Sequence, residues 1–278
     1  MPEDFDSEAV PAYLQRMALA GQVCAVVGSG RGIGRQTAHA LSQAGAKVVC
    51  IDADIERARA VATEVGGHAW QLDATRTEAV DATLQQISSE FGRLDVVVDI
   101  VGASMGAALL DIDDALIQRN FELNLFQAMQ VTRAAGAVMA KNGGGAVVLI
   151  GSAAGLSNLP NQAVYGSAKA ALHHFVRYAA TELGHLGVRV NAVAPGYVRT
   201  QRMVERFSEE RWEEISRNTP LQRAGDTADI AGAALFLCSG LSAFVTGQVL
   251  VADGGLLNAP RIMKESSARQ IAGAYDDQ

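Results

Sequence analysis

The chain has 278 residues, of which 49% are hydrophobic, 19% charged and 5% aromatic, with 28 glycines and a formal net charge of −7. These values exclude a disordered chain and argue against a nucleic-acid partner, which needs a basic surface. No apolar run reaches the roughly 18 residues of a membrane span, and the acidic start MPEDFDSEAVPAYLQRM lacks a basic stretch leading into an apolar one, so neither membrane nor secretory routing is expected.

QVCAVVG (22–28) predicts a first strand ending in glycine, and RQTAHALSQAG (35–45) a helix stopped by Gly45. AKVVCID (46–52) predicts a second strand, IERARAVATEVG (55–66) a glycine-closed helix, HAWQLDAT (68–75) a third strand and TEAVDATLQQISSEFG (77–92) an amphipathic helix. LDVVVDIVG (94–102), GAVVLIGSAAG (145–155), GVRVNAVAPG (187–196) and GQVLVADGG (247–255) supply the remaining strands. These runs are almost continuously apolar, as strands of a parallel sheet buried on both faces are. Their alternation with helices predicts an α/β fold, a doubly wound, Rossmann-like parallel sheet of about seven strands with helices on both faces. No Pro/Ser-rich linker interrupts the chain, so one domain is expected over 21–257, with a polar N-terminal arm (1–20) and a polar C-terminal tail (258–278). The widely spaced Cys24, Cys50 and Cys238 read as buried free thiols of a reducing compartment, which predicts a cytoplasmic protein.

The loop after the first strand is Gly28-Ser29-Gly30-Arg31-Gly32-Ile33-Gly34 and runs straight into a helix. Glycines there allow a tight turn and a close backbone approach to a pyrophosphate, which the helix N-terminus attracts. Asp52, at the tip of the second strand, can accept from the ribose hydroxyls of NAD and repel the 2′-phosphate of NADP; Arg31 pulls the other way. The carboxylate outweighs it, and NAD is expected over NADP. Asp73 can accept from an adenine amino group or serve only as a turn residue.

Tyr165 and Lys169 stand four apart, on one face of a helix, where an ammonium lowers the pKa of a neighbouring phenol. Ser152 ends a strand whose carboxyl end should border the ligand crevice. Taken in order, Gly28/Gly32/Gly34, Asn124 in FELNLF, Ser152, Tyr165-x-x-x-Lys169 and Asn191 with Pro195-Gly196 in NAVAPGYVRT strongly resemble the short-chain dehydrogenase/reductase family over about 20–257. The resemblance implies Tyr165 as general acid/base, Ser152 positioning the substrate oxygen, and Lys169 binding the nicotinamide ribose and lowering the Tyr165 pKa. It further implies Asn124 holding a water that relays protons from Lys169. Pro195, Gly196, Val198 and Thr200 would wrap the nicotinamide, with Gly28, Gly30, Arg31, Gly32, Ile33, Gly34, Asp52, Asp73, Ala74, Val101 and Gly102 along the rest of the dinucleotide. It also implies a homotetramer with the helix at about 168–183 and the last strand at interfaces.

Two departures from the family matter. Val27 replaces the usual Thr, and Asp99-Ile100-Val101-Gly102 stands where Asn-Asn-Ala-Gly is usual, so that Asp99 must be protonated, re-paired or partly solvated. His173-His174 reads as a surface or interface pair, since adjacent helical residues point about 100° apart, and no metal site is expected. Residues 197–223 are expected to form a lid. Its apolar face, with Met105, Leu109 and Leu110, suggests a lipophilic, steroid-like or cyclic substrate. The expected activity is NAD-dependent hydride exchange with a secondary alcohol or ketone. The alternatives are a 3-oxoacyl-thioester reductase using NADPH and, in another class, a non-catalytic dinucleotide-binding regulator.

Overall fold

The computed structural model describes residues 10–259. Its centre is a seven-stranded, all-parallel sheet in the order β3-β2-β1-β4-β5-β6-β7. The strands are β1 (Val23–Val27), β2 (Lys47–Asp52), β3 (His68–Gln71), β4 (Val96–Asp99), β5 (Gly145–Ile150), β6 (Val188–Pro195) and β7 (Val249–Ala252). The helices are α1 (Tyr13–Met17), α2 (Gly32–Gln43), α3 (Ile55–Val65), α4 (Thr77–Phe91), α5 (Asp114–Phe121), α6 (Gln127–Lys141), α7 (Ala163–Leu183), α8 (Gln201–Val204), α9 (Glu209–Asn218) and α10 (Thr227–Cys238).

Side chains alternate across each strand, so every buried strand feeds two cores. In β1, Ala25 and Val27 pack with Leu84 of α4, Val131 of α6 and Val176 of α7. Cys24 and Val26 pack on the other face with Leu41 of α2, Val61 of α3 and Ile230 and Leu237 of α10. This double burial explains the absence of polar alternation in the strand sequences. Helix boundaries follow local chemistry: the Asp54 carboxylate accepts from Glu56 N and Arg57 N to start α3, and Gly66 closes it in the left-handed conformation.

The sequence reading overran some elements. GAVVLIGSAAG stops being a strand at Ile150, and Ala153–Gly155 forms a short 3-10 turn, because the chain turns out of the sheet after Gly151, whose N–H still donates to Val193 O. The helix expected over 35–45, α2, starts at Gly32, inside the glycine loop rather than after it. Part of the expected polar arm is core: Leu19 is fully buried and Leu19 N donates to Ala44 O, tying the segment to the end of α2. Residues 10–18 of the arm are exposed and include α1, whereas residues 1–9 and nearly all of the expected tail lie outside the described residues. Among the described residues no helix is long and apolar enough to cross a membrane.

The strand order reverses between β1 and β4: from β1 the chain proceeds outward through β2 and β3, then returns to add β4 on β1's other side. The crevice beyond the strand ends at such a switch point is where an open parallel sheet takes its ligand.

Candidate active site

Four chain segments converge on that crevice. The first is the glycine loop. α2 has no side-chain cap on its first turn, so its leading N–H groups face outward, as an anion site requires. Gly34 fits only as glycine: a Cβ there would meet the Gly28 carbonyl oxygen and come within 2.9 Å of Ser29 Cα. Asp52 is locked at the mouth of this loop, Oδ2 accepting from Gly30 N at 3.0 Å and Oδ1 from Asp54 N at 3.0 Å. These residues fit a dinucleotide: backbone donors for the pyrophosphate beside a fixed carboxylate whose spare lone pairs can take ribose hydroxyls.

The remaining nucleotide candidates divide by position. Val101 lies against Gly28, at 3.3 Å from where its Cβ would be, and Thr200 lies 3.5 Å from the corresponding point of Gly32. Ala74 is buried at the end of the β3 segment, and Arg31 is exposed. Ile33, Gly102, Pro195, Gly196, Val198 and Thr200 line one cleft with Ser152, Tyr165 and Lys169. Asp73 is exposed and accepts from Thr75 N and Thr75 Oγ1, the arrangement of the turn that leads into α4.

The second segment is the end of β5. Lys169, buried on α7, donates from Nζ to Ile150 O at 2.8 Å, and burial pulls its ammonium down to about 8 against the opposing pull of Asp99. Ser152 Oγ accepts from Ala154 N at 3.2 Å. Tyr165 is half-buried, and its phenol is raised above the ordinary value, foremost by burial. The Ser152 hydroxyl and, more weakly, the positive charge of Arg202 act in the lowering direction. The expected lowering by Lys169 is not found: burial outweighs the Ser152 and Arg202 contributions. The phenol is therefore protonated at neutral pH, the form that donates a proton, and nearby positive charge would favour the phenolate.

The third segment is a π turn, Glu122–Phe126, between α5 and α6. Such turns are rare and frequent at functional sites. It carries the fully buried Asn124, whose Nδ2 donates to Ala103 O and Asn120 O and whose Oδ1 accepts from Ala103 N. Asn124 thus clamps the chain after β4. A Cβ on Gly102 would lie 3.0 Å from its Oδ1 and 3.1 Å from Lys169 Nζ, so both groups border one small space. The fourth segment, residues 197–223, contributes α8 and α9. Trp212 and Ile215 anchor α9 in the interior, whereas Arg202 and Arg206 stay exposed along the cleft.

Two expectations fail. His173 is buried, not superficial: it continues the Tyr165–Lys169 face by another four residues and fills the space under the Ser152 loop left by Gly151 and Gly155. Its Nε2 accepts from Ser152 N at 3.4 Å, and burial foremost pushes the imidazole down to about 4, so it is neutral. Only His174 is exposed. The strict i, i+4, i+8 spacing was the available signal, masked by the adjacent histidine. Leu109 and Leu110 are exposed and do not line the cleft, nor does Met105. Leu156, Leu159, Met203, Phe207, Leu256 and Leu257 form its apolar wall instead.

Asp99 is buried in β4 with one backbone donor, Val101 N at 3.0 Å, and burial pushes its carboxyl up to about 6. Between roughly pH 4 and 6 the unfolded chain releases this proton while the folded protein keeps it, so stability falls as pH rises through that window. Asp99→Asn should therefore stabilise the fold at pH 7 by about 1–3 kcal/mol, seen as a higher melting point. The gain should shrink below pH 6 and vanish near pH 4. Melts across that range check it, and a variant less stable than the native protein at pH 7 would mean that the charge itself is needed.

A family model described as enoyl-(acyl carrier protein) reductase matches residues 27–257. The chain is 35% identical over 244 residues to 7alpha-hydroxysteroid dehydrogenase of Escherichia coli strain K12, covering 86% of this chain and 95% of that one. It is 37% identical over 237 residues to 3-oxoacyl-[acyl-carrier-protein] reductase of Bos taurus, covering 84% and 98%. A solved 7 alpha-hydroxysteroid dehydrogenase, complexed with NADH and 7-oxo glycochenodeoxycholic acid, superposes with a TM-score of 0.82 at 34% identity, over 87% of this chain and 96% of that one. The chain belongs to the short-chain dehydrogenase/reductase family, oxidoreductases that exchange hydride between a nicotinamide cofactor and an alcohol or ketone.

Proposed function

We propose that this protein interconverts a secondary alcohol and its ketone with NAD as the preferred cofactor, and that Tyr165, Ser152 and Lys169 carry the proton chemistry. The observation that carries the cofactor choice is Asp52, held by Gly30 N and Asp54 N at the mouth of the glycine loop. A carboxylate fixed there favours ribose hydroxyls and opposes a 2′-phosphate, while exposed Arg31 can swing away into solvent.

The nicotinamide supplies and accepts the hydride when bound. Tyr165 exchanges the proton with the substrate oxygen, which Ser152 Oγ orients by hydrogen bonding. Lys169 adds positive charge beneath, held in place by the Ile150 carbonyl. Asn124 fixes the floor through Ala103 and completes a water path from Lys169 outward. The apolar wall of Leu156, Leu159, Met203 and Phe207 suits a lipophilic substrate, and residues 197–223 cover it as a lid.

A substrate panel followed at the reduced-nicotinamide band, with NAD and NADP in parallel, tests the reading. NAD should be preferred, and Asp52→Ala should bring the two cofactors toward parity; a native preference for NADP overturns the choice. Such a preference would favour the second reading, a 3-oxoacyl-thioester reductase, which the Bos taurus relative's name supports. The homotetramer remains our proposal. It is supported by exposed Tyr178 on α7, Phe244, and Leu250 and Val251 on the edge strand β7, and is measurable by light scattering. Three free, buried cysteines support a reducing, cytoplasmic location.

A further inference from the structure

The charge distribution of the cleft differs sharply from that of the chain. The protein carries a formal net charge of −7, yet the described residues lining the cleft of about 1810 Å3 include Arg202, Arg206, Arg211, Arg217 and Lys169 and no aspartate or glutamate. Some of these cations are already neutralised nearby. Arg211 pairs with Glu214 at 2.5 Å and Arg217 with Glu213 at 3.6 Å. Arg199, just before α8, pairs with Glu209 at 2.8 Å and stacks on Trp212. Arg202 and Arg206 form no ion pair with any described residue. Glu205, between them, takes its hydrogen bond from Gln201. Two cations therefore stand over an acid-free cleft with their donors uncommitted, and one of them acts on the field at the Tyr165 phenol.

The geometry points to a substrate that carries an anionic group, a carboxylate or a phosphate, on the part facing Arg202 and Arg206. This rests on the oxidoreductase reading above and deepens it. The reacting carbonyl would sit at Ser152 and Tyr165, the apolar body against Leu159, Met203 and Phe207, and the anion under the two guanidinium groups, whose planar forks suit bidentate contacts to either oxyanion. The dinucleotide's own phosphates are the competing anion and must be separated by experiment.

Matched probes do so. One pair is 4-(4-oxocyclohexyl)benzoate and its methyl ester. A second is the acetoacetyl thioesters of phosphopantetheine and of N-acetylcysteamine, which differ at the phosphate. Binding is measured by calorimetry on the protein saturated with NAD⁺, which has no hydride to give a ketone, and turnover with NADH is followed beside it. The native protein should bind at least one anionic member roughly tenfold more tightly than its neutral partner. The pair showing this difference identifies carboxylate or phosphate. Arg202→Met with Arg206→Met should erase the difference by weakening the anion alone. The neutral probe and NADH should stay within about twofold, since no new charge is buried. Equal binding, or none, of both members of both pairs by the native protein overturns the inference. An anion preference that survives the double variant, or a parallel loss of NADH affinity, overturns it as well. Anion-selective binding without turnover of any probe would support this inference and count against the assigned reaction.

Discussion

Tyr165→Phe should keep the fold and the nucleotide affinity and lower turnover by about 10²–10⁴-fold or more. The ring stays and only the hydroxyl is lost, so packing on α7 changes little. The phenol is held protonated by burial, with the Ser152 hydroxyl and the Arg202 charge tempering the shift. In the reducing direction that is the required form, and the rate should hold through neutral pH and fall only under alkaline conditions. Alcohol oxidation needs the phenolate and should accelerate as pH rises above neutrality. The Phe variant should show neither profile. Steady-state kinetics in both directions, with NADH binding measured by fluorescence, check this. Undiminished turnover in the Phe variant would remove Tyr165 from the mechanism.

The second large effect is expected at Gly34. Its Cβ would strike the Gly28 carbonyl oxygen, and the nearby atoms are backbone that cannot rotate aside. Gly34→Ala should cost roughly 1–3 kcal/mol as overpacking. It should weaken NADH binding further still, because any relief moves the N–H groups at the head of α2. Gly184→Ala is the matched control: nothing lies within 4 Å of its Cβ position and its φ of −59° suits alanine. That control should be neutral or slightly stabilising. Equal melts and equal NADH affinities for the two variants would show that the glycine loop is slack.

The sheet was readable because burial on both faces leaves an unmistakable apolar run. Its ends were less so: Gly151 to Gly155 are small or apolar enough to extend a strand pattern, and only the departure of backbone from the sheet ends it. Asp99 was readable as an anomaly, since a carboxylate within an apolar strand has few outcomes, and it is buried on a backbone donor with its pKa raised. His173 was only partly readable: its place on the Tyr165–Lys169 face shows in the spacing, but the room for its ring depends on Gly151 and Gly155, about twenty residues away. Arg202 and Arg206 look in sequence like the solvent face of an amphipathic helix. Their place over a cleft free of acids emerges only when β5, α7 and the 197–223 segment are brought together.

The strand order also dictates a schedule for synthesis. β1 pairs with β4 through Cys24↔Val96, so the two strands that define the switch point are separated by the whole of α2, β2, α3, β3 and α4. Until Val96 leaves the ribosome, one edge of the apolar strand VCAVV has no partner, although β2 can already cover the other. Long-range parallel pairings of this kind form slowly, and open apolar edges invite association between nascent chains. Nucleotide can assist only after that pairing is made, because the crevice it fills does not exist before it. Added NAD should therefore slow unfolding of the finished protein far more than it speeds its first folding.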